Sequence, residues 1–201
     1  MKTTFLKIVC FVVLICTAIQ LNAQSKPKDT LTNMGGVYMT AIDYQNGKLT
    51  FPIDCMKPAG DNIKVHNLFW NQTIDVVCNG KKRTLQKEDV YAYRDCDGVT
   101  YRFYKNADYI ISATKDLYIY VMQTQNVPSP DSKIVNKYFF SKGPTGEIKE
   151  LTLSNLQNSF QDNKRFCNML TAEFSHGENI SEYDFRSHSY KVTQLYESSN
   201  E

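Results

Sequence analysis

The residues of this chain best suited to covalent chemistry or metal binding are its cysteines and histidines. Beyond the N-terminal stretch they are Cys55, Cys78, Cys96, Cys167, His66, His176 and His188. The sequence contains no C-x-x-C pair and no H-E-x-x-H motif, and the cysteine spacings of 23, 18 and 71 residues match no zinc-binding pattern. The sequence therefore predicts neither a metal site nor a bound cofactor.

One cysteine lies close in sequence to two histidines, which raises the alternative of a hydrolase. Cys167 could act as a nucleophile with His176 or His188 as its base, provided that the fold brings thiol and imidazole together. The nearby carboxylates are Glu173, Glu178, Glu182 and Asp184. A run of charges is more typical of a solvated surface, and a small cysteine between apolar neighbours is more typical of a core. We therefore predict no catalytic residues and keep the hydrolase as an alternative.

The first 23 residues have the three parts of a secretory signal peptide. Lys2 and Lys7 precede an apolar stretch over residues 8–19, and the small residue Ala23 marks the cleavage site. The apolar stretch is well short of the roughly 20 residues that cross a bilayer. We therefore expect export with cleavage after Ala23, no membrane span, and a location in the periplasm or outside the cell.

Cleavage also changes the charge of the chain and the setting of its cysteines. Of the 23 Lys and Arg residues, two lie in the signal peptide, so 21 basic side chains remain against 21 acidic ones. A chain without net charge gives no electrostatic reason to bind nucleic acid or an anionic membrane. In an oxidising compartment the four remaining cysteines are candidates for disulfides.

The strand pattern limits how those four cysteines can pair. Cys78 and Cys96 each end a predicted strand just before a hairpin turn. In a meander the return strand 81–86 separates them by two spacings of about 4.8 Å, which is beyond the roughly 7 Å limit for a disulfide. This leaves Cys55 with one of them and Cys167 with the other. We favour Cys55 with Cys96, and four buried free thiols are the alternative.

Tyrosine is abundant, with 13 copies in the 201-residue chain. A two-residue turn at Asp97-Gly98 would pair residues directly across a hairpin and would place Tyr91, Tyr93, Arg102 and Tyr104 on one exposed face. Arg102 would then lie across Tyr93 as a cation–π pair. Such a face could dock a protein or stack on a sugar, and ordinary cross-strand aromatic pairing is the simpler alternative.

The elements that must position these residues are short strands followed by helices. Runs rich in Val, Ile, Tyr, Phe and Thr predict strands near 49–54, 73–78, 81–86, 89–96, 99–104, 108–113, 117–124 and 133–141. Over residues 152–198 the apolar spacing becomes helical, with Ser154 and Asp162 as predicted helix caps. A further short helix is predicted after Thr40, which has the form of a capping box with Asp43.

Together these elements predict the α+β class. We expect an antiparallel β-meander of about seven to eight strands over residues 49–141, forming an open sheet or a partial barrel, followed by a C-terminal helical segment packed on it. Residues 24–34 are polar and lack periodicity, so a flexible leader is expected there. A single domain is expected over residues 35–201.

Several segments carry a resemblance to a known group of proteins. They are Gly36-Val37-Tyr38, Asp89 through Arg94, the Asp97-Gly98 turn with Tyr101 through Tyr104, Tyr138-Phe139-Phe140, Leu156 through Phe160, Asp162, Asn163 and Phe166. In these segments the chain resembles small exported proteins of unknown function from Bacteroidetes-type bacteria. The resemblance implies a shared fold and a location in the envelope or outside a Gram-negative cell.

Export, the lack of a catalytic motif and the predicted tyrosine–arginine surface favour a non-catalytic domain that binds a protein or a glycan in the cell envelope. Two alternatives remain open. One is the hydrolase that uses His176 or His188 with a nearby carboxylate or Cys167. The other is a barrel-like binder of a small apolar ligand, which requires the meander to close around a cavity.

Overall fold

The computed structural model describes residues 33–57, 60–66, 72–125 and 133–201. The predicted signal peptide at 1–23 and residues 24–32 of the predicted leader lie outside the described residues. The first strand begins at Met34, one residue before the expected start of the domain. Within the described ranges, no helix combines the length and the apolar character needed to cross a bilayer.

Strands dominate the part of the chain that the structure describes. They are β1 Met34–Tyr38, β2 Phe51–Asp54, β3 Asn62–Val65, β4 Thr73–Cys78, β5 Lys81–Gln86, β6 Ala92–Arg94, β7 Thr100–Tyr104, β8 Ala107–Thr114, β9 Leu117–Gln125, β10 Ile134–Lys142, β11 Lys149–Glu150, β12 Tyr183–Asp184 and β13 Ser189–Tyr190. Eight of them form one antiparallel sheet in the order β11-β10-β9-β8-β7-β6-β1-β2, which we call the large sheet. Its first and last strands are not neighbours, so the sheet is open. The predicted α+β class and open antiparallel sheet are confirmed, and the strands do not close into the barrel that an enclosed apolar cavity would need.

Strands β3, β4 and β5 form a separate small sheet, which departs from the single predicted meander. The Asn79-Gly80 turn closes the β4–β5 hairpin as expected, with positive φ at both residues and Cys78 opposite Lys81. The position beside β6 in the large sheet, however, is occupied by β1. The hairpin instead packs by its apolar side chains, and Ile74 and Val76 are buried.

The helices are α1 Ala41–Gln45, α2 Leu153–Ser159, α3 Lys164–Phe174 and α4 Lys191–Ser199, with a short 3-10 helix at Lys87–Asp89. Thr40 caps α1 in the expected capping box. Thr152 caps α2 in place of the predicted Ser154, and Asn163 caps α3 in place of the predicted Asp162. In each case the side-chain oxygen of the preceding non-helical residue accepts from the third free N–H of the helix, which is the geometry that defines a cap.

One face of the large sheet is apolar, and we call it the apolar face. Helices α2, α3 and α4 cover its β9 and β10 end, where the buried residues are Leu117, Ile119, Phe140, Leu151, Leu156, Phe160, Phe166, Leu170, Phe174, Tyr190 and Val192. The small sheet covers the other end, where the buried residues are Val37, Ile53, Ile74, Val76, Val90, Tyr93 and Phe103. The C-terminal helices therefore pack on the sheet as predicted, because their apolar stripes need an apolar surface to cover.

The β6–β7 hairpin turns in a different way from the predicted two-residue turn. The Asp95 carboxylate accepts hydrogen bonds from the backbone N–H groups of Asp97 and Val99, at 3.0 and 2.8 Å. The backbone N–H of Asp95 donates to the carbonyl of Val99. The loop therefore has three residues, Cys96 through Gly98, and Gly98 adopts the positive φ of 83° that ends it.

This longer loop shifts the strand register by one residue. Because side chains alternate along a strand, such a shift moves the side chains of one strand to the opposite face. Tyr93 pairs with Tyr101 on the apolar face, and their rings stack with centres 4.7 Å apart. Arg102 pairs with Ala92 on the other face. The predicted shared face of Tyr93 and Arg102, and the cation–π pair between them, are wrong.

Cys55 and Cys96 form a disulfide, with their Cα atoms 5.5 Å apart, which confirms the favoured pairing. Cys78 and Cys167 are free thiols, so the second bridge of the predicted scheme does not form. Cys78 ends β4 in the small sheet, Cys167 lies in α3, and each thiol donates to a backbone carbonyl. Cys78 and Cys96 are kept apart because they belong to different sheets, and not by a strand between them as predicted.

Candidate functional site

The face of the large sheet opposite the apolar face is rich in tyrosine, and we call it the tyrosine face. It consists of Tyr38, Tyr91, Tyr104, Tyr109, Tyr118, Tyr120, Arg94 and Arg102, with Tyr44 of α1 packed over it. The strand registers create this arrangement, since directly paired residues share a face and alternate residues of a strand point the same way. Arg102, for example, lies opposite Ala92 on one neighbouring strand and opposite Tyr109 on the other.

Arg102 places a buried positive charge in the middle of this face, with 4% of its surface exposed. Its Nη1 donates to the Tyr120 hydroxyl at 2.7 Å, and its Nη2 donates to the Gly146 carbonyl at 2.9 Å. The guanidinium carbon lies 5.4 to 5.6 Å from the ring centres of Tyr91, Tyr104 and Tyr120. No carboxylate of the described residues forms an ion pair with Arg102. Ring faces and oxygen dipoles therefore stabilise this charge.

The segment 143–148, between β10 and β11, packs against the tyrosine face. The Tyr91 hydroxyl donates to the Pro144 carbonyl at 2.9 Å, and Ile148 is buried among the tyrosine rings. Burial raises the pKa of Tyr91 well above its ordinary value. The phenol therefore stays protonated and keeps donating to the segment that covers it.

The four predicted binding residues do not form one exposed surface. Tyr93 lies on the apolar face, where burial raises its pKa well above the ordinary value. Arg102 is buried, and Tyr91 and Tyr104 are half-buried around it. Three of the four therefore belong to the packing of the tyrosine face, and Tyr93 belongs to the core.

A cleft of about 470 Å³ opens where α1 lies over the tyrosine face. It is lined by Tyr38, Tyr44, Gln45, Gly47, Arg94, Thr100 and Tyr118. These residues come from three stretches of the sequence: β1 with α1 and the turn after it, the β6–β7 hairpin, and β9. The capping box at Thr40 sets where α1 begins, so that Tyr44 and Gln45 fall in its last turn at the edge of the cleft.

Two walls of the cleft are tyrosine rings held in place by polar contacts. Tyr38 and Tyr44 meet edge to face, with ring centres 5.4 Å apart, and the Tyr118 hydroxyl lies beside the Gln45 side chain, which opposes the burial-driven rise of its pKa. Burial raises the pKa of Tyr38, and the neighbouring guanidinium of Arg94 opposes that rise. Burial likewise raises the pKa of Tyr118. The hydroxyls of Tyr38 and Tyr118 are therefore neutral donors and acceptors at neutral pH.

Arg94 supplies the positive charge of the cleft. Its guanidinium lies beside the Tyr38 hydroxyl, and its Nε is shielded from solvent with no hydrogen-bond partner among the described residues. No carboxylate of the described residues forms an ion pair with it. Unlike Arg102, Arg94 is only half-buried and lines the open space.

The residues of the hydrolase alternative are dispersed. Cys167 is half-buried in α3, and its thiol donates to the Phe160 carbonyl at 3.3 Å. His176 is exposed beyond α3 and is hydrogen-bonded to the Ser175 hydroxyl, while His188 is exposed in the β12–β13 turn. Between these described residues there is no hydrogen bond from either histidine to Cys167. Nor do the described ranges contain a group of three or more His, Cys, Asp or Glu side chains that could hold a metal ion.

The carboxylates near the C-terminus serve local contacts. Glu173 forms an ion pair with Lys191 at 3.0 Å, and Glu178 accepts from the backbone N–H of His176. Asp184 accepts from the backbone N–H of Arg186, and this bond is the main reason that its pKa lies below the ordinary value. These carboxylates bind turns and helix ends, which agrees with a solvated surface.

A polar cluster that the sequence analysis did not predict lies on the small sheet. Asp75 of β4 accepts a hydrogen bond from Thr84 and forms an ion pair with Lys82 at 2.9 Å, and its carboxylate lies 3.0 Å from Nε2 of His66. These bonds, led by that of Thr84, hold the pKa of Asp75 well below its ordinary value. The pairing of Asp75 with Thr84 could have been predicted from the Asn79-Gly80 turn, because the register of that hairpin places the two residues opposite each other. The cluster links the three strands of the small sheet to one another.

None of the residues that line the cleft was a predicted binding residue. Tyr38 and Arg94 lie within segments that carry the resemblance, but their meeting with Tyr44 and Tyr118 depends on where α1 packs. Comparisons with protein-family models, curated proteins and solved structures found no match. The cleft is therefore the candidate site on the strength of its geometry and chemistry.

Proposed function

We propose that this protein is an exported, non-catalytic domain that binds a glycan in the cleft between α1 and the tyrosine face. The signal-peptide pattern of residues 1–23 supports export. The Cys55–Cys96 disulfide supports it as well, since disulfides persist mainly in oxidising compartments. The resemblance to small exported proteins of Bacteroidetes-type bacteria agrees with a place in the cell envelope or outside the cell.

The observation that carries the proposal is the chemical make-up of the cleft. Its walls are the rings of Tyr38, Tyr44 and Tyr118, and its polar groups are those of Arg94 and Gln45 together with the tyrosine hydroxyls. A sugar has an apolar C–H face and a rim of hydroxyls, so it needs ring faces and hydrogen-bonding groups side by side. Tyrosine offers both in one rigid side chain. The volume of about 470 Å³ falls within the range of roughly 300 to 1,000 Å³ that small-molecule sites occupy.

The same lining supports binding without cleavage. Glycoside hydrolysis in most enzymes uses two carboxylates, one as acid and one as base or nucleophile. No Asp, Glu, His or Cys is among the described residues that line the cleft. A glycan held there would meet donors, acceptors and rings, and among the described lining residues it would not meet the pair of carboxylates that most glycoside hydrolases use.

The export part of the proposal is tested by mass spectrometry of the protein purified from the exported fraction of its host. We expect an N-terminus at Gln24. We also expect alkylation of two thiols, those of Cys78 and Cys167, without reduction, and of four thiols after reduction. A protein that keeps its first 23 residues in the cytoplasmic fraction contradicts export.

The binding part is tested with the same exported protein on a glycan array, followed by calorimetry on the glycans that bind. Replacement of the cleft residue Tyr44 by alanine is expected to weaken binding about tenfold or more, because it removes one of the three tyrosine rings that form the walls of the cleft. Tyr183→Ala, a change on β12 outside the cleft, is the matched control and should leave affinity unchanged. A folded protein that binds no glycan, or binds glycans equally well after Tyr44→Ala, contradicts the proposal.

A further inference from the structure

We infer that the ligand of the cleft is an acidic glycan, and that the guanidinium of Arg94 binds a carboxylate of its sugar ring. This inference rests on the proposed function and assigns the chemical class of its ligand. The groups that carry it are Arg94, its neighbour Tyr38, and the second arginine of the same face, Arg102.

Arg94 is held in one orientation by its surroundings. It lies opposite Thr100 in the β6–β7 hairpin, whose short loop is closed by the Asp95 carboxylate. The guanidinium lies beside the Tyr38 hydroxyl, and a Cβ atom added at Gly98 would lie 3.4 Å from its Nη2. The head group is thus placed between a tyrosine hydroxyl and a tight loop. A guanidinium that is already ordered loses little entropy when it binds a planar anion.

The charge of Arg94 has no acidic partner in the described part of the chain. A guanidinium has five N–H donors, and the polar group beside that of Arg94 is the neutral hydroxyl of Tyr38. The described lining of the cleft contains no carboxylate. A half-buried arginine without a carboxylate partner is the group that most often recognises a carboxylate or phosphate of a ligand, by two parallel hydrogen bonds.

The two arginines of the tyrosine face have different roles. Arg102 is buried, and its guanidinium donates to Tyr120 and Gly146, so it has no open side for a ligand. Its positive charge remains uncompensated by acid in the described residues, and it raises the potential on the face that also holds the cleft. Arg94 is therefore the contacting group, and Arg102 contributes through its field.

A carboxylate fits this site better than a phosphate or sulfate group. One guanidinium presents a planar pair of donors, which matches the planar carboxylate. The neighbouring groups Tyr38 and Tyr44 are rings, which suit the face of the sugar that bears the acid. A phosphate group carries about two negative charges at neutral pH, whereas the cleft has one cation among its described lining residues.

The inference is tested by calorimetry with the exported protein and three matched ligands: a uronic-acid oligosaccharide, its methyl ester, and a sulfated oligosaccharide of the same length. The methyl ester keeps the shape of the acid and removes its charge. We expect the acid to bind at least about tenfold more tightly than the ester, and Arg94→Gln to remove that difference. Arg94→Lys should keep part of it, because lysine keeps the charge without the planar pair of donors. Arg165→Gln, at an exposed position of α3, is the control and should change nothing.

Each outcome separates the inference from the proposed function. Equal binding of acid and ester overturns the inference and leaves glycan binding intact, whereas no binding of any glycan overturns the proposed function itself. Tighter binding of the sulfated ligand than of the acid overturns the carboxylate assignment. If Arg94→Gln does not fold, a pH series with the unaltered protein tests the inference instead. Its affinity for the acid must fall as the pH is lowered to about 3, because the carboxylate of the ligand takes up its proton. Affinity that is unchanged over that range overturns the inference.

Discussion

The two faces of the large sheet are buried by different means. The apolar face lies under three helices and the small sheet, and its fully buried side chains include Ile119, Phe140 and Phe166. The tyrosine face lies under the five-residue helix α1 and the segment 143–148. Its most buried rings, Tyr38 and Tyr120, carry hydroxyls that need hydrogen-bond partners.

The difference follows from what each kind of side chain requires. Hydrocarbon is stabilised by any loss of contact with water, by about 25 cal/mol for each Å² buried, so its cover must only fit in shape. A buried hydroxyl must also find a partner, and Tyr120 finds two, Ser141 and Arg102. Helix α1 and the segment 143–148 supply such partners to the tyrosine face, and they need not fill all the space beside it. The cleft is the unfilled space beside α1. It is lined by polar groups because the tyrosine hydroxyls around it need hydrogen-bonding neighbours.

The largest predicted loss of stability comes from a cavity on the apolar face, under the helices. Phe166→Ala on the apolar face is expected to lower the free energy of unfolding by about 3 to 5 kcal/mol, since the ring is fully buried against Phe160 and Tyr196. Urea denaturation followed by circular dichroism measures it. Phe185→Ala, at a side chain that is 80% exposed, is the control and should change stability by less than about 0.5 kcal/mol. Similar losses at both positions would mean that the helices add little to the core.

The disulfide between Cys55 and Cys96 gives a reference loss of stability that belongs to neither face alone. It cross-links the strands whose side chains form both faces. The double change to serine is expected to cost about 2 to 4 kcal/mol, since the bridge closes a loop with a sequence separation of 41 residues. Denaturant titration under non-reducing conditions measures the loss. Cys167→Ser, which keeps a hydroxyl donor for the Phe160 carbonyl, should cost less than about 1.5 kcal/mol. An equal loss in both variants would contradict a structural role for the bridge.

Arg102 is the most direct test of how the tyrosine face is held together. Arg102→Met is expected to cost about 2 to 3 kcal/mol, because it leaves the Gly146 carbonyl and the Tyr120 hydroxyl without their donor. Arg165→Met at an exposed site of α3 is the matched control. If Arg102→Met were at least as stable as the original protein, an apolar side chain would stabilise the tyrosine face as well as Arg102 does. The two faces would then not differ in the way they are buried.

The smallest effect should depend on pH. Tyr91→Phe removes one hydrogen bond to Pro144 and is expected to cost about 1 kcal/mol at about pH 8. Burial holds the pKa of Tyr91 above its ordinary value of about 10, so the unfolded chain loses this proton first and stability falls as the pH rises past about 10. The phenylalanine variant lacks that penalty, and the stability gap should close at higher pH. Denaturation at a series of pH values measures the gap, and a constant gap would contradict the assignment.

Local signals predicted most of the elements. The predicted strands at 73–78 and 81–86 coincide with β4 and β5, because an Asn-Gly turn between alternating residues depends on a few neighbouring residues alone. The capping box at Thr40 and the helical stripe from Phe166 to Phe174 are local in the same sense. The Cys55–Cys96 pairing was also correct, although the meander on which it was argued divides into two sheets.

The candidate site was beyond local signals. A single carboxylate, that of Asp95, lengthens the β6–β7 loop by one residue and so sends Tyr93 and Arg102 to opposite faces. The position of β1 between β2 and β6, which brings Tyr38 next to Arg94, is a long-range pairing that no turn specifies. An error of one residue in a strand reverses every assignment of face, so the predicted binding surface failed where the predicted strands succeeded.

The sequence by itself determined the α+β class, most of the strands and the C-terminal helices, because each depends on residue types at short spacing. Only the tertiary structure decided which tyrosines share a face, why Arg102 is buried and where Arg94 meets an open cleft. These depend on the register of strands and on how α1 packs over them. The physical reason is that a hydrogen bond or an ion in a site requires atoms within a few ångström, and such distances between remote residues are set by the whole fold.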